Sequence, residues 1–212
     1  MKPIKAVIFD LEGTIIDTED IWDDCAVEFL KRHGHVYNRE TTKHLLMGGS
    51  IAGGAAIMRD LYGFEGDAET LGAERRAIFE ELLQREVTFT PGFEDFYAKV
   101  RSTHKTAIAT SMERRFIRDV DQRLHLSTLF DGHIYSIEDI GFIAKPNPDI
   151  FLHAAKAIGI DPAECLAIED APHGVEAAKR AGMRVAAITY TTPRAKLVAA
   201  DQIVDQFSEI KL

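Results

Sequence analysis

The chain has 212 residues, 46% of them apolar and 28% charged, enough to bury a sizeable core but too few for two large independent domains. A net charge of −9 and a pI near 5.4 exclude a general nucleic-acid or anionic-membrane surface, because such surfaces need clustered Lys and Arg. Cys25 and Cys165 lie far apart, fit no zinc spacing and read as small core residues of a reducing compartment; with no leader-like or membrane-spanning apolar run, a cytoplasmic chain is expected.

Along the chain, Lys5 to Phe9 form a β-rich apolar run that stops at Asp10. The stretch from about Asp20 to Arg85 then shows amphipathic helical patterns (Ile21 to Arg32, Ile51 to Tyr62, Glu69 to Gln84) and no strand. Within it, Gly48-Gly49 and Gly53-Gly54 bracket a turn and a weakened helix start, and Pro91-Gly92 mark the end of the insertion. From there apolar runs at Thr106 to Ala109, His133 to Tyr135, Cys165 to Ile168 and Arg184 to Ile188 alternate with helical patterns at Phe93 to Ser102, Glu113 to Leu124, Pro148 to Ile158 and Pro172 to Ala181. That alternation predicts an α/β fold with a doubly wound parallel sheet, residues 1–17 and 88–212 forming the core and 18–87 a small helical insertion after the first strand. Functional residues are then expected at the carboxyl ends of the strands.

Four such ends carry polar residues. The first gives FDLEGTIIDTE, with Asp10 and Glu12 two apart and Gly13 permitting a tight turn; the pair is either a solvated turn or two carboxylates that divide nucleophile, metal and proton roles. The second gives IATS, where Thr110 with Glu113 fits a capping box, or Thr110, Ser111 and the helix N–H groups hold a phosphate. In AKPNPDIF, Lys145 is either solvated or a charge fixed by a stiff loop. In IEDAPHGVEAAKRAG, Asp170 is either a helix cap or, with Glu169, part of an oxygen-ligand site for Mg²⁺, while His173 reads as a surface residue.

In order and spacing these four segments resemble the four motifs of the haloacid dehalogenase (HAD) superfamily, closest to its β-phosphoglucomutase-like branch of small phosphatases, and the insertion resembles that branch's α-helical cap. The resemblance covers nearly the whole chain. It implies a Rossmann-like core and a Mg²⁺-dependent phosphatase that hydrolyses a small phosphorylated metabolite through an aspartyl-phosphate. Carried over residue by residue, Asp10 is the nucleophile and a metal ligand, and Glu12 is the acid/base whose backbone carbonyl also reaches the metal. Thr110, Ser111 and Lys145 bind phosphate, and Glu169 and Asp170 complete the metal site. Most members of the branch have Asp where this chain has Glu12; the enolase-phosphatase branch resembles it in having Glu, whereas dehalogenase-like members have an aromatic residue there and phosphonate hydrolases a small one. Two alternatives remain, a phosphosugar mutase, disfavoured because this chain has Ile51 where such mutases carry a cap Arg, and a catalytically silent binding protein. The cap is expected to close over the site, with Trp22 as anchor or pocket wall, the Gly48-Gly49-Ser50 turn as a contributor, and Arg75 and Arg76 mostly solvated. A monomer or weak dimer is expected, with no nucleic-acid or membrane partner.

Overall fold

The computed structural model describes residues 2–46 and 51–212. Strands β1 (Ala6–Phe9) and β2 (Ile16–Asp17) precede four helices, α1 (Glu19–Arg32), α2 (Arg39–Leu46), α3 (Ile51–Tyr62) and α4 (Ala68–Glu86). After them come β3 (Thr88–Phe89), α5 (Phe93–Arg101), β4 (Lys105–Thr110), α6 (Arg114–Leu124), α7 (Leu126–Leu129), β5 (Ile134–Ser136), α8 (Asp149–Ala157), β6 (Cys165–Glu169), α9 (Pro172–Arg180), β7 (Arg184–Ile188) and β8 (Gln202–Val204). The chain divides into two compact units, Met1–Asp17 with Thr88–Leu212, and Thr18–Val87.

In the first unit six strands form one sheet in the order β5-β4-β1-β6-β7-β8, every pair parallel. Chain order reverses at β1, so β4 and β6 flank it and a crevice opens at their carboxyl ends, the switch point of a doubly wound sheet. Helices cover both faces, which explains why the strands are apolar throughout rather than alternating with polar residues. One face is built from small side chains, Ala6, Ala107, Ala109, Cys165, Ala167 and Ala187, which let Phe151 and Ala154 of α8 and Val175 and Ala178 of α9 pack against the sheet. The opposite face is aromatic. Phe9 meets Phe93 and Phe130 edge-on with ring centroids 5.8 Å apart, and Phe96 and Tyr97 at 6.3 and 6.1 Å, so the residue before Asp10 is locked on four sides. A two-residue antiparallel ribbon of β2 and β3 pairs the segments on either side of the insertion, with Ile16 opposite Phe89.

The second unit is helical. Asp67 caps α4 by accepting from the backbone N–H groups of Glu69 and Thr70 at 3.1 and 2.9 Å. Helix α1 buries Ile21, Cys25, Ala26, Phe29 and Leu30, and α4 buries Leu71, Ile78, Phe79, Leu82 and Leu83. Half-buried Trp22 stacks on Phe79 with centroids 3.9 Å apart, which is the anchoring alternative. Arg75 corrects an expectation. Instead of lying in solvent it is 3% exposed, its guanidinium 5.5 Å from the centre of the Trp22 ring and donating to the Ile51 carbonyl at 2.9 Å, because a long stem and a delocalised charge tolerate burial against an aromatic face. Arg76 is half-buried. The Gly48-Gly49-Ser50 turn lies outside the described residues. Among the described residues no helix is long and apolar enough to cross a membrane.

Candidate active site

Asp10 follows β1 directly, and its backbone N–H donates to Ile168 O of β6 at 2.9 Å, so the sheet register carries it to the crevice. Glu169 ends β6, Asp170 follows it, Thr110 ends β4, and Lys145 comes from the loop ahead of α8. Lys145 is the hub. Its Nζ donates to Asp10 Oδ1 at 2.5 Å, Glu169 Oε1 at 2.6 Å and Ala109 O at 3.3 Å, using three N–H groups on three acceptors, and lies 4.8 Å from the centre of the Phe151 ring. This side chain, expected either in solvent or in the site, is buried at the site.

Glu169 is fixed at both oxygens, since Oε2 accepts from the backbone N–H groups of Asp170 and Ala171 at 3.1 and 3.2 Å. Asp170 accepts a hydrogen bond from the Thr191 hydroxyl, in the loop after β7. Two glycines make room for these acids. Gly13, at φ +73°, lies where a Cβ would come 2.3 Å from Asp170 Oδ2, and a Cβ on Gly174 would come 1.8 Å from Glu169 Oε1. Thr191, Phe151 and Gly174 carried no signal on their own in the sequence, because each acts through a neighbour's position rather than through a motif.

The helix-cap alternatives do not form as read. Thr110 Oγ1 accepts from the Met112 N–H at 3.0 Å, while α6 starts later, at Arg114, with Glu113 in the cap position and no side-chain cap bond. Asp170 likewise stands one residue ahead of the α9 cap, Ala171, with Pro172 in the first turn. Thr110 is buried, whereas Ser111 and His173 are exposed. Glu12 is half-buried in the turn after β1, bridged through its backbone to Ile16, and its carboxylate is not part of the acidic group below.

Asp10, Glu169 and Asp170 each place a carboxylate oxygen within 4.8 Å of the others. Three buried acids meet one ammonium, and the imbalance is visible in their acidities. Burial, reinforced by Glu169 and Asp170 and only partly offset by Lys145, pushes the Asp10 carboxyl well above its ordinary range. Burial and the charge of Glu169 push Asp170 up to about 7. For Lys145 burial acts downward, but the charges of Asp10 and Glu169 outweigh it and the ammonium is held. Clustered hard oxygen donors with excess negative charge fit a divalent cation of the Mg²⁺ type, which favours carboxylates, carbonyls and water.

Comparison with known proteins identifies what the chain is similar to. A family model described as haloacid dehalogenase-like hydrolase matches residues 4–182. The chain is 34% identical over 188 residues to a Bacillus subtilis protein named "Putative phosphatase YhcW", covering 85% of this chain and 81% of that one. It is 29% identical over 185 residues to the phosphorylated carbohydrates phosphatase of Thermotoga maritima, covering 85% and 82%. A crystal structure described as a "putative beta-phosphoglucomutase" from Thermotoga maritima superposes with a TM-score of 0.84 at 26% identity, over 97% of this chain and 96% of that one.

Proposed function

Because the chain belongs to the haloacid dehalogenase-like hydrolases, we propose that it is a Mg²⁺-dependent phosphatase in which Asp10 attacks the phosphorus of a small phosphorylated metabolite. The enzyme is a phosphoric monoester hydrolase. The observation that carries the finer reading is the buried Asp10–Lys145–Glu169 bridge with Asp170 beside it, at the ends of β1 and β6. A pre-placed ammonium between two carboxylates neutralises an attacking anion and an incoming phosphoryl group, which is positioning and electrostatic work.

In the first step a carboxylate oxygen of Asp10 bonds to phosphorus as the ester P–O bond breaks, and the departing oxygen takes a proton from the carboxylic acid of Glu12. In the second, Glu12 takes a proton from water, the water oxygen bonds to phosphorus, and the acyl-phosphate bond breaks to release phosphate and regenerate Asp10. Lys145 offsets charge on the phosphoryl oxygens, while Thr110 and Ser111 orient them. A Mg²⁺ ion held by Asp10, Glu169, Asp170 and the Glu12 backbone carbonyl would supply further positive charge to those oxygens. Residues 1–17 and 88–212 serve as the catalytic domain and 18–87 as the cap domain.

The test is phosphate release from a panel of sugar phosphates and other phosphorylated metabolites, with Mg²⁺ and after exhaustive chelation. Turnover is expected only with the metal, and Asp10→Asn is expected to abolish it, because an amide is a poor nucleophile. Undiminished release after chelation, or substantial activity in Asp10→Asn, overturns the reading. The likeness to a structure described as a β-phosphoglucomutase supports a second reading, return of the phosphoryl group to a sugar; an isomeric phosphosugar in place of free phosphate would establish it.

A further inference from the structure

A polar pocket of about 360 Å³ lies in the same unit as the acidic site but at the other end of the strands, beside the amino ends of β4 and β5. Its lining carries two cations, Arg101 from the end of α5 and Lys105 at the start of β4, with the imidazoles of His104 from the turn between them and His133 just ahead of β5, and Asp131 as the one acid. Lys105 and Thr110 begin and end the same strand, so the cavity is roughly 16 Å from the carboxyl end at about 3.3 Å per residue. Arg101, Lys105 and Asp131 are exposed and His104 and His133 half-buried, so it is an open surface pocket with room for a small anion.

In a chain of net charge −9, two strong cations and two histidines facing one carboxylate form a local reversal of sign. The cations are also held in place. Lys105 Nζ donates to Ile158 O at 2.8 Å, beyond the last turn of α8, and the Arg101 guanidinium sits 5.8 Å from the centre of the Tyr97 ring, with no carboxylate paired to either among the described residues. His133 Nδ1 is bonded to the Tyr135 hydroxyl at 3.0 Å and His104 Nδ1 to the Thr103 hydroxyl at 2.8 Å, which fixes both rings through one nitrogen. Tyr97, at the back, is itself tied by its hydroxyl to Leu129 O.

We propose that this cavity binds a small dianion, a phosphate-bearing or dicarboxylate metabolite, away from the catalytic end. A guanidinium beside an ammonium gives a fork and a point charge, the combination that recognises such groups. The site is independent of how the acidic cluster works, so failure of one assignment leaves the other standing.

The experiment is a titration of the isotopically labelled full chain with inorganic phosphate and, separately, with malonate, following backbone amide shifts. Saturable shifts at residues 104–106 and 131–133, fitted apart from those near Asp10, are expected with at least one of the two, and which one identifies the source. Arg101→Gln and Lys105→Met should each weaken that binding roughly tenfold or more, the usual worth of a hydrogen bond to a charged group. Both should leave melting and phosphate release from a generic ester close to wild type. No saturable shift at these amides with either anion, or unchanged affinity in both variants, would overturn the proposal.

Discussion

Glu12 is the residue on which the proposed chemistry turns, since it is the one place where the chain departs from the commonest pattern of the family it resembles. If it is the proton donor, Glu12→Ala should slow hydrolysis of a sugar phosphate by roughly 10²–10⁴-fold, the usual contribution of a positioned general acid. An activated aryl phosphate needs little protonation as it leaves, so its first step should be spared while the second, which needs Glu12 as base, is not. Rapid-quench kinetics should then show a burst followed by slow turnover. Equal losses for both esters without a burst would remove Glu12 from the acid/base role. Asp10, Glu169 and Asp170 are legible in the sequence because each ends or follows a strand whose apolar run is itself legible, and a doubly wound sheet gathers such ends, whereas Lys145, expected at a strand end, lies nine residues beyond β5 in the loop ahead of α8. The Thr191 bond to Asp170 was not, because a threonine in a loop 21 residues further on has no spacing that marks it.

At the scale of elements, helix α9 is set against β6 closely enough that residue 174 has no room for a side chain. Placing Ala there should stabilise a helix interior by about 0.8–1.0 kcal/mol through propensity alone. Here its Cβ would stand 1.8 Å from Glu169 Oε1 and 2.0 Å from Cδ, so the carboxylate must swing away and give up its bonds to Lys145 and to the Asp170 and Ala171 N–H groups. The steric cost, typically 1–3 kcal/mol, wins. Gly174→Ala should therefore lower stability in urea unfolding and lower turnover together; a variant more stable than wild type with full activity would show that Glu169 is not held this way. The elements that escaped the sequence are the short and polar ones. Helix α2 buries only Thr42 and starts from Asn38, whose side chain accepts from the Glu40 and Thr41 N–H groups, so it has a cap but almost no apolar stripe. Strands β2, β3 and β8 have two or three residues each, too few for any period to register. The boundaries of the long helices and buried strands are legible to within a few residues because burial imposes its period on their apolar positions.

For the whole molecule, the acidic cluster makes a specific statement about stability and pH. Asp10 is raised well above its ordinary value of 3.8 and Asp170 is raised to about 7, so in the native state both hold protons that the unfolded chain has already released. Stability therefore falls as pH rises from about 4 through about 7, and levels off once both groups are ionised in the fold. The acids with lowered values, Asp67, Asp161, Asp201 and Asp205 from 3.8 and the exposed Glu28 from 4.5, act in the opposite sense, losing stability as pH falls below those values, so they do not bear on a comparison of pH 5 with pH 8. After chelation the melting temperature should thus be higher near pH 5 than near pH 8. A cation on Asp10, Glu169 and Asp170 competes with those same protons, so Mg²⁺ should raise melting far more at pH 8 than at pH 5 and largely abolish the decline. At a free concentration a hundred times its dissociation constant the gain is about 2.7 kcal/mol. Differential scanning calorimetry at the two pH values, with Mg²⁺ and with chelator, separates the cases. An equal gain at both, or none at either, would mean that the three carboxylates do not form a metal site.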